Sequence, residues 1–218
     1  MKACYKEILL LAFVFLLLAA RSPGQARAAS AAPAVAHAGH PAAIAEKTSN
    51  PEPARGEDGT EMNEIFKKRH CVRSFQTKDV PREDLRAILQ AANSAPSAGG
   101  LKAREIIVVT DAATRARLVE AALGQEFVGH APVVLVFWAV PSRSAHKYGE
   151  RGRTLYAVQD ATIAASFAWL QAVALGLGGC WVGAFDENAV TEIFRSQIGQ
   201  IGKDWRPIAL LPIGYSAE

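Results

Sequence analysis

Pro132-Val133-Val134-Leu135-Val136-Phe137-Trp138-Ala139-Val140 is an unbroken apolar run rich in β-branched residues. It has no polar face, so it reads as a strand over 132–140 covered on both sides. A strand of that kind needs partners along its edges and layers over both faces, and the rest of the chain must supply them.

Candidate partners stand on either side. Residues 62–68 read as a short helix. Pro81 followed by Arg82-Glu83-Asp84 marks a helix start, because proline fits the first turn and acids favour the helix N-terminus. Leu85, Ile88, Leu89 and Ala92 then recur at helical spacing. Pro96, Gly99 and Gly100 break the pattern into a loop over 94–100. A β-rich strand is expected at 105–110, and Asp111 is placed to cap a helix over 112–122. Residues 154–175 read as one long helix, rich in alanine and apolar on several faces, which Gly176-Leu177-Gly178-Gly179 ends. A short strand at 180–182, a helix at 187–195 and a last strand at 207–213 complete the chain. The expected class is α/β (α+β), a central mixed sheet flanked by helices. The many-sided apolar helix asks for cover, either from the chain itself or from a second copy.

The N-terminus has a different character. Lys2 and Lys6 precede an uncharged apolar run over 8–20, which is short of the roughly 20 residues that span a bilayer. Small residues follow, and Ala26-Arg27-Ala28 fits a signal-peptidase site. Residues 1–28 therefore read as a signal peptide, with an uncleaved membrane anchor as the alternative. Residues 29–60 read as a flexible Ala/Pro-rich linker, and 61–218 as the folded domain. The expected location is outside the cytoplasm, in the periplasm. His37 and His40 lie in the linker and carry little weight as a metal site. Beyond Cys4, the chain has Cys71 and Cys180, which could pair in an oxidising compartment.

Several functions are disfavoured. The 218-residue chain has a formal charge of +3, too balanced for a nucleic-acid-binding face. The glycine cluster at 176–183 follows a helix and precedes a strand, the reverse of a dinucleotide fingerprint. No phosphate-binding Gly-Lys-Ser/Thr loop and no nucleophile elbow is present. No histidine spacing suits a metal.

Arg69-His70-Cys71-Val72-Arg73 offers two arginines four apart, a pair suited to an anion or to a solvated basic patch. The wider pattern favours the anion. Arg69-x-x-x-Arg73-x-Phe75 resembles the opening flavin-phosphate motif of the nitroreductase family. Ala95-Pro96-Ser97-Ala98-Gly99-Gly100-Leu101 is similar to its second cofactor loop, and Ala131 to Val136 to its central strand. Gly176 to Phe185 resembles the segment against the flavin ring, and Pro207 to Tyr215 the closing strand. All five occur in the family's order, and the resemblance covers about 63–215.

That resemblance implies an FMN-dependent oxidoreductase carrying hydride from NAD(P)H to nitroaromatic, quinone or related small-molecule acceptors by a ping-pong mechanism. It implies a homodimer. It places Arg69 at the phosphate, His70 and Cys71 beside the phosphate and ribityl chain, and Arg73 towards the N1 and C2 side of the ring. It puts Pro96, Ser97, Ala98 and Gly100 along the isoalloxazine, Val182, Gly183 and Ala184 with backbone groups towards N5 and O4, and Trp181 at the border. Lys102 stands near the ring or in solvent. No side chain is assigned as acid or base, and no metal is implied. Because Cys71 and Cys180 fall in different parts of the implied site, free thiols are expected. The chain departs from the family at Gly100, where asparagine is common, and at Cys71, where serine is common. Alternatives are an exported flavin-binding redox module and a flavin-fragmenting relative.

Overall fold

The computed structural model describes residues 58–198 and 201–218. Residues 1–57, which hold the segment read as signal peptide and most of the linker with His37 and His40, lie outside them; residues 58–60, read as the end of the linker, are helical.

The apolar run forms β2 (Val133–Ala139), and every residue of it is buried. It pairs antiparallel with β1 (Arg104–Val109) on one edge and β4 (Arg206–Gly214) on the other, and β3 (Gly178–Gly179) adds to β4. The sheet order is β1-β2-β4-β3. All named pairs are antiparallel. The mixed character expected of the sheet enters at one parallel bridge, Cys71 to Gly179.

Alternation along β2 builds two cores. Val133, Leu135 and Phe137 pack against Ile88 and Ala92 of α2 (Arg82–Ser94) and against Ala164, Ala165, Ala168 and Trp169 of a later helix, α6 (Ala157–Ala174). Val134, Val136 and Trp138 face α3 (Ala112–Ala121) and α7 (Glu187–Ile198), where Leu118, Val190, Ile193 and Phe194 meet them. Each of these large side chains contributes about 1.5–3 kcal/mol by leaving water, so both faces of the strand stabilise the domain. Helix α1 (Asp58–Lys68) precedes this body, and a short α4 (Phe127–His130) precedes β2.

Local signals held where expected. Pro81 stands at the start of α2, and Asp111 caps α3 by accepting the Thr114 N–H at 2.8 Å. The long helix is different. It starts as α5 (Pro141–Arg151), breaks at Gly149 with φ of 56°, passes through a π turn (Gly152–Tyr156) and only then runs as α6. Gly152 is needed there, since a Cβ would lie 2.5 Å from the Ser144 carbonyl oxygen. Much of α6 is covered within the chain: Ala157, Ala161, Ala164, Ala165, Ala168 and Ala172 are fully buried. Among the described residues, the exposed large apolar side chains are Met62 and Phe66 on α1, Phe167 on α6 and Leu123. The strand expected at 180–182 falls earlier: Gly178 and Gly179 pair with β4, and Val182 makes a single bridge to Leu210.

Candidate functional site

After α1 the chain crosses the sheet edge, where Cys71 pairs with Gly179 and the Val72 N–H donates to the Gly179 carbonyl at 3.0 Å. Gly178 must lack a side chain, because a Cβ there would lie 2.5 Å from a Val72 methyl carbon. This approach joins residues 69–73 to residues 178–184. The two arginines separate on either side. The Arg69 guanidinium lies 4.6 Å from the centre of the Trp169 ring, and that of Arg73 lies 5.8 Å from the centre of Phe127. They do not converge on one point. Neither forms an ion pair among the described residues, so two cations rest on aromatic faces.

The end of the chain closes the same region. Glu218 Oε1 accepts the N–H groups of Arg73 at 2.8 Å and Ser74 at 3.1 Å, and Glu218 Oε2 lies 3.9 Å from His70 Nε2. These amides, that of Arg73 first, hold the Glu218 carboxyl below its ordinary value of 4.5. His70 Nδ1 is 2.8 Å from the Lys68 carbonyl oxygen. Lys68, His70, Val72, Gly178 and Ser216 border an open depression of about 190 Å³.

The resemblance places Cys71 and Cys180 in different parts of a site; the Cys71–Gly179 bridge brings their segments together. Both are free thiols. Cys180 is 1% exposed, whereas Cys71 is half-buried. Burial, then a hydrogen bond with the Cys71 thiol, pushes the Cys180 thiol up to about 12.

Val182 spends both backbone groups on Leu210, donating its N–H at 2.9 Å and accepting at 3.0 Å. Its N–H is therefore not free to donate to a ring. The Ala184 carbonyl is likewise taken, by Gln125 Nε2 at 2.9 Å. Gly183 and Ala184 are exposed, and Trp181 is half-buried with its indole against Gly183.

The loop carrying Pro96, Ser97, Ala98, Gly100 and Lys102 belongs to a separate support. Buried Asp160 of α6 accepts the Ala98 N–H through one oxygen and the Ala103 N–H through the other, both at 2.9 Å. Arg143 of α5 donates to the carbonyls of Lys102 at 2.6 Å and Arg104 at 3.0 Å. Arg104, buried, donates to the carbonyls of Ala92 and Ala95, closing the end of α2; burial pushes its guanidinium down. Ser97 Oγ accepts the Lys102 N–H at 3.0 Å. Gly99 and Gly100 adopt φ of 59° and 71°, and Lys102 follows at 48°. Above Gly99 sit the Lys147 ammonium and Tyr148 hydroxyl of α5. From Asp160 to Trp169 is nine residues of α6, about 14 Å, so the loop and the Arg69 segment are held at two stations along one helix.

Asp160, Arg143, Trp169, Phe127 and Glu218 were not among the residues expected from sequence. Asp160 left a signal: it is the one charged residue of α6.

Fold and site together define an α/β domain that presents two arginines stacked on aromatic rings and a half-buried indole beside exposed glycine backbone, a set suited to an anionic, ring-bearing ligand. The chain belongs to the nitroreductase family, which it matches over residues 66–215. It is 34% identical over 178 residues to an NADH dehydrogenase of Thermus thermophilus, covering 69% of this chain and 84% of that protein. It is 30% identical to an FMN reductase [NAD(P)H] of Bacillus subtilis, covering 72% and 68%. Among solved structures, an FMN-dependent nitroreductase from Clostridium difficile superposes with a TM-score of 0.60 at 30% identity, over 71% of this chain and 87% of that one.

Proposed function

We propose that this chain is an FMN-dependent oxidoreductase that uses NAD(P)H and reduces nitroaromatic, quinone or related small acceptors. One observation carries the reading. Among the described residues Arg69 and Arg73 form no ion pair, and they flank a strand edge whose glycines leave backbone open.

The residues present fit the cofactor. Arg69 would hold the phosphate, since a guanidinium donates in pairs to such an anion. His70 and Cys71 would stand beside it. Arg73 would set a cation where reduced flavin gathers negative charge. Pro96, Ser97, Ala98, Gly100 and Lys102 would form the second wall, fixed by Asp160. Gly183 and the Ala184 N–H, rather than Val182, would offer the open backbone, with Trp181 at the rim. When bound, FMN supplies a two-electron carrier that accepts hydride from NAD(P)H and returns it to the acceptor in alternate half-reactions, a ping-pong scheme. The protein's work is to bind, orient and exclude water.

A homodimer is part of the proposal. The depression beside His70 is about 190 Å³, below the roughly 300–1,000 Å³ of ordinary ligand pockets. Met62, Phe66 and Phe167 leave apolar surface for a second copy to cover. Export to the periplasm is proposed from the charged start, short apolar run and small-residue site at the N-terminus.

The test is the visible spectrum of the purified chain with FMN, then with NADPH without oxygen, then with a quinone or nitroaromatic. A bound-flavin spectrum that bleaches and recovers is the expected result. Bound flavin that never bleaches with NADPH or NADH would favour an exported flavin-binding module. No bound flavin would overturn the function.

A further inference from the structure

Between β2 and α6 the chain concentrates positive charge. Residues 141–156 hold Arg143, Lys147, Arg151 and Arg153 against one acid, Glu150, a local excess equal to the +3 of the whole chain. Arg143 pairs with Glu105, and Arg153 with Glu150. Lys147 and Arg151 are exposed and form no ion pair among the described residues. Each lies against a half-buried tyrosine instead. Lys147 Nζ is 5.4 Å from the centre of the Tyr148 ring, and the Arg151 guanidinium is 5.4 Å from that of Tyr156, whose hydroxyl accepts from Arg151 Nε at 2.9 Å. The two rings meet edge to face at 5.2 Å. On a straight helix, residues eight apart stand about 12 Å apart along the axis; the break at Gly149 and the π turn bring these two together. The result is a row of cation, ring, ring and cation. Its Lys147 end lies over Gly99, in the loop proposed as a wall of the flavin site.

We propose that Lys147 and Arg151 bind the 2′-phosphate of NADPH, with Tyr148 and Tyr156 against its adenine, so that this row selects NADPH over NADH. The inference rests on the reading of the chain as an NAD(P)H oxidoreductase. A phosphomonoester carries about two negative charges at neutral pH, and adenine presents a flat π face. The row offers two cations and two aromatic rings, the complement of both. NADH has a hydroxyl where NADPH has this phosphate, so it gains from the rings alone. Neutral quinone and nitroaromatic acceptors would likewise leave both cations without a counter-charge. Position agrees with the assignment. The row stands with the loop that Asp160 holds, apart from the Arg69 segment at Trp169, so it offers a phosphate site separate from the one proposed for FMN. The nicotinamide must reach the flavin, whereas the adenosine end of the same molecule extends outward, where Lys147 and Arg151 are exposed.

The experiment titrates the purified full chain, in the presence of FMN, with adenosine 2′,5′-bisphosphate and with 5′-AMP by calorimetry, and measures kcat/KM with NADPH and with NADH against a quinone. The bisphosphate should bind at least about tenfold tighter than 5′-AMP, the scale of one charged hydrogen bond, and kcat/KM should favour NADPH by a similar factor. Lys147→Ala and Arg151→Ala should each lower both ratios by roughly three- to tenfold. Arg151→Lys should lower them less, because an ammonium keeps the charge but not the paired donors. Both ratios should fall as salt rises. A ratio compares two ligands on one protein, so a general loss of folding or of flavin cancels. Equal binding of the two adenylates would overturn the assignment, as would equal kcat/KM with the two donors or ratios that both alanine variants leave unchanged. The titration needs no turnover. A chain that selects the bisphosphate yet bleaches with neither donor would support the site and remove the oxidoreductase reading; one that bleaches equally well with both donors would lose the nucleotide site alone.

Discussion

Asp160 receives the amide of Ala103 across 57 positions of sequence, carboxylate to backbone at 2.9 Å, with both residues buried. Its second oxygen holds Ala98, so one side chain defines both ends of the loop. Asp160→Ala would leave the buried Ala103 N–H without an acceptor. Charged hydrogen bonds of this kind contribute about 1.5–3 kcal/mol, so the expected loss is about 3 kcal/mol. Asp160→Asn retains one acceptor and should lose about half as much. Urea unfolding of the three proteins measures this, and equal stability of Asp160→Ala and wild type would remove the clamp from the account.

Gly99 is expected to resist substitution for two separable reasons. Its φ of 59° is costly for a residue with a side chain, about 1–2 kcal/mol. A Cβ would also collide with the Tyr148 hydroxyl and lie 2.9 Å from Lys147 Nζ. Gly99→Ala should therefore destabilise the domain by more than the backbone cost alone. Adding Tyr148→Phe removes the hydroxyl and should restore part of the loss, leaving the backbone share. A double-mutant cycle with no coupling would show that the helix does not press on the loop.

Arg69 and Arg73 should fail differently. If Arg69 holds a phosphate, Arg69→Ala should raise the FMN Kd by roughly 10- to 100-fold, the scale of one lost charged contact. Arg69→Lys should recover only part, because an ammonium lacks the paired donors and stacks less well on Trp169. Arg73→Ala should leave riboflavin and FMN weakened alike, whereas Arg69→Ala should weaken FMN alone. Fluorescence titration with both ligands separates the roles, and identical profiles for the two variants would undo the assignment.

Acid should release the C-terminal contact. The amides of Arg73 and Ser74 hold the Glu218 carboxyl below its ordinary value of 4.5. A depressed carboxyl contributes its stabilisation fully above 4.5 and loses it as pH falls through the lower folded value. A stability difference between wild type and Glu218→Ala should thus be present at pH 6 and vanish in acid below 4.5. Melting curves across that range provide the check; a difference that grew on acidification would contradict it.

The sequence declared what local chemistry declares. Pro81 and Asp111 set helix starts through rules that act within one turn, and the two-sided burial of β2 was written in its own apolar run. Helix α5 was not anticipated, because it has no apolar stripe: its hold on the domain comes from Arg143, Lys147 and Tyr148 meeting a distant loop. For the same reason the unbroken helix expected over 154–175 hid a π turn. The site was partly visible. Arg69 and Arg73 stood out by type and spacing, but their rings, Trp169 and Phe127, come from other elements. The meeting of the Cys71 and Cys180 segments depends on a bridge between residues 108 positions apart, which no local pattern encodes. Val182 looked like open backbone until its pairing with Leu210 was seen.

The contact of Arg73 with Glu218 spans 145 positions, and Phe75 bridges to Ser216 beside it. Such closures are entropically slow and come after nearer contacts have formed. During synthesis the chain emerges N-terminus first, so the arginine segment appears early and waits for a partner 145 positions downstream. The domain can assemble β1 and β2 with their helices while the candidate site remains open at one side. Formation of the binding edge is thereby tied to Ser216 and Glu218, which make these contacts without belonging to either core cluster.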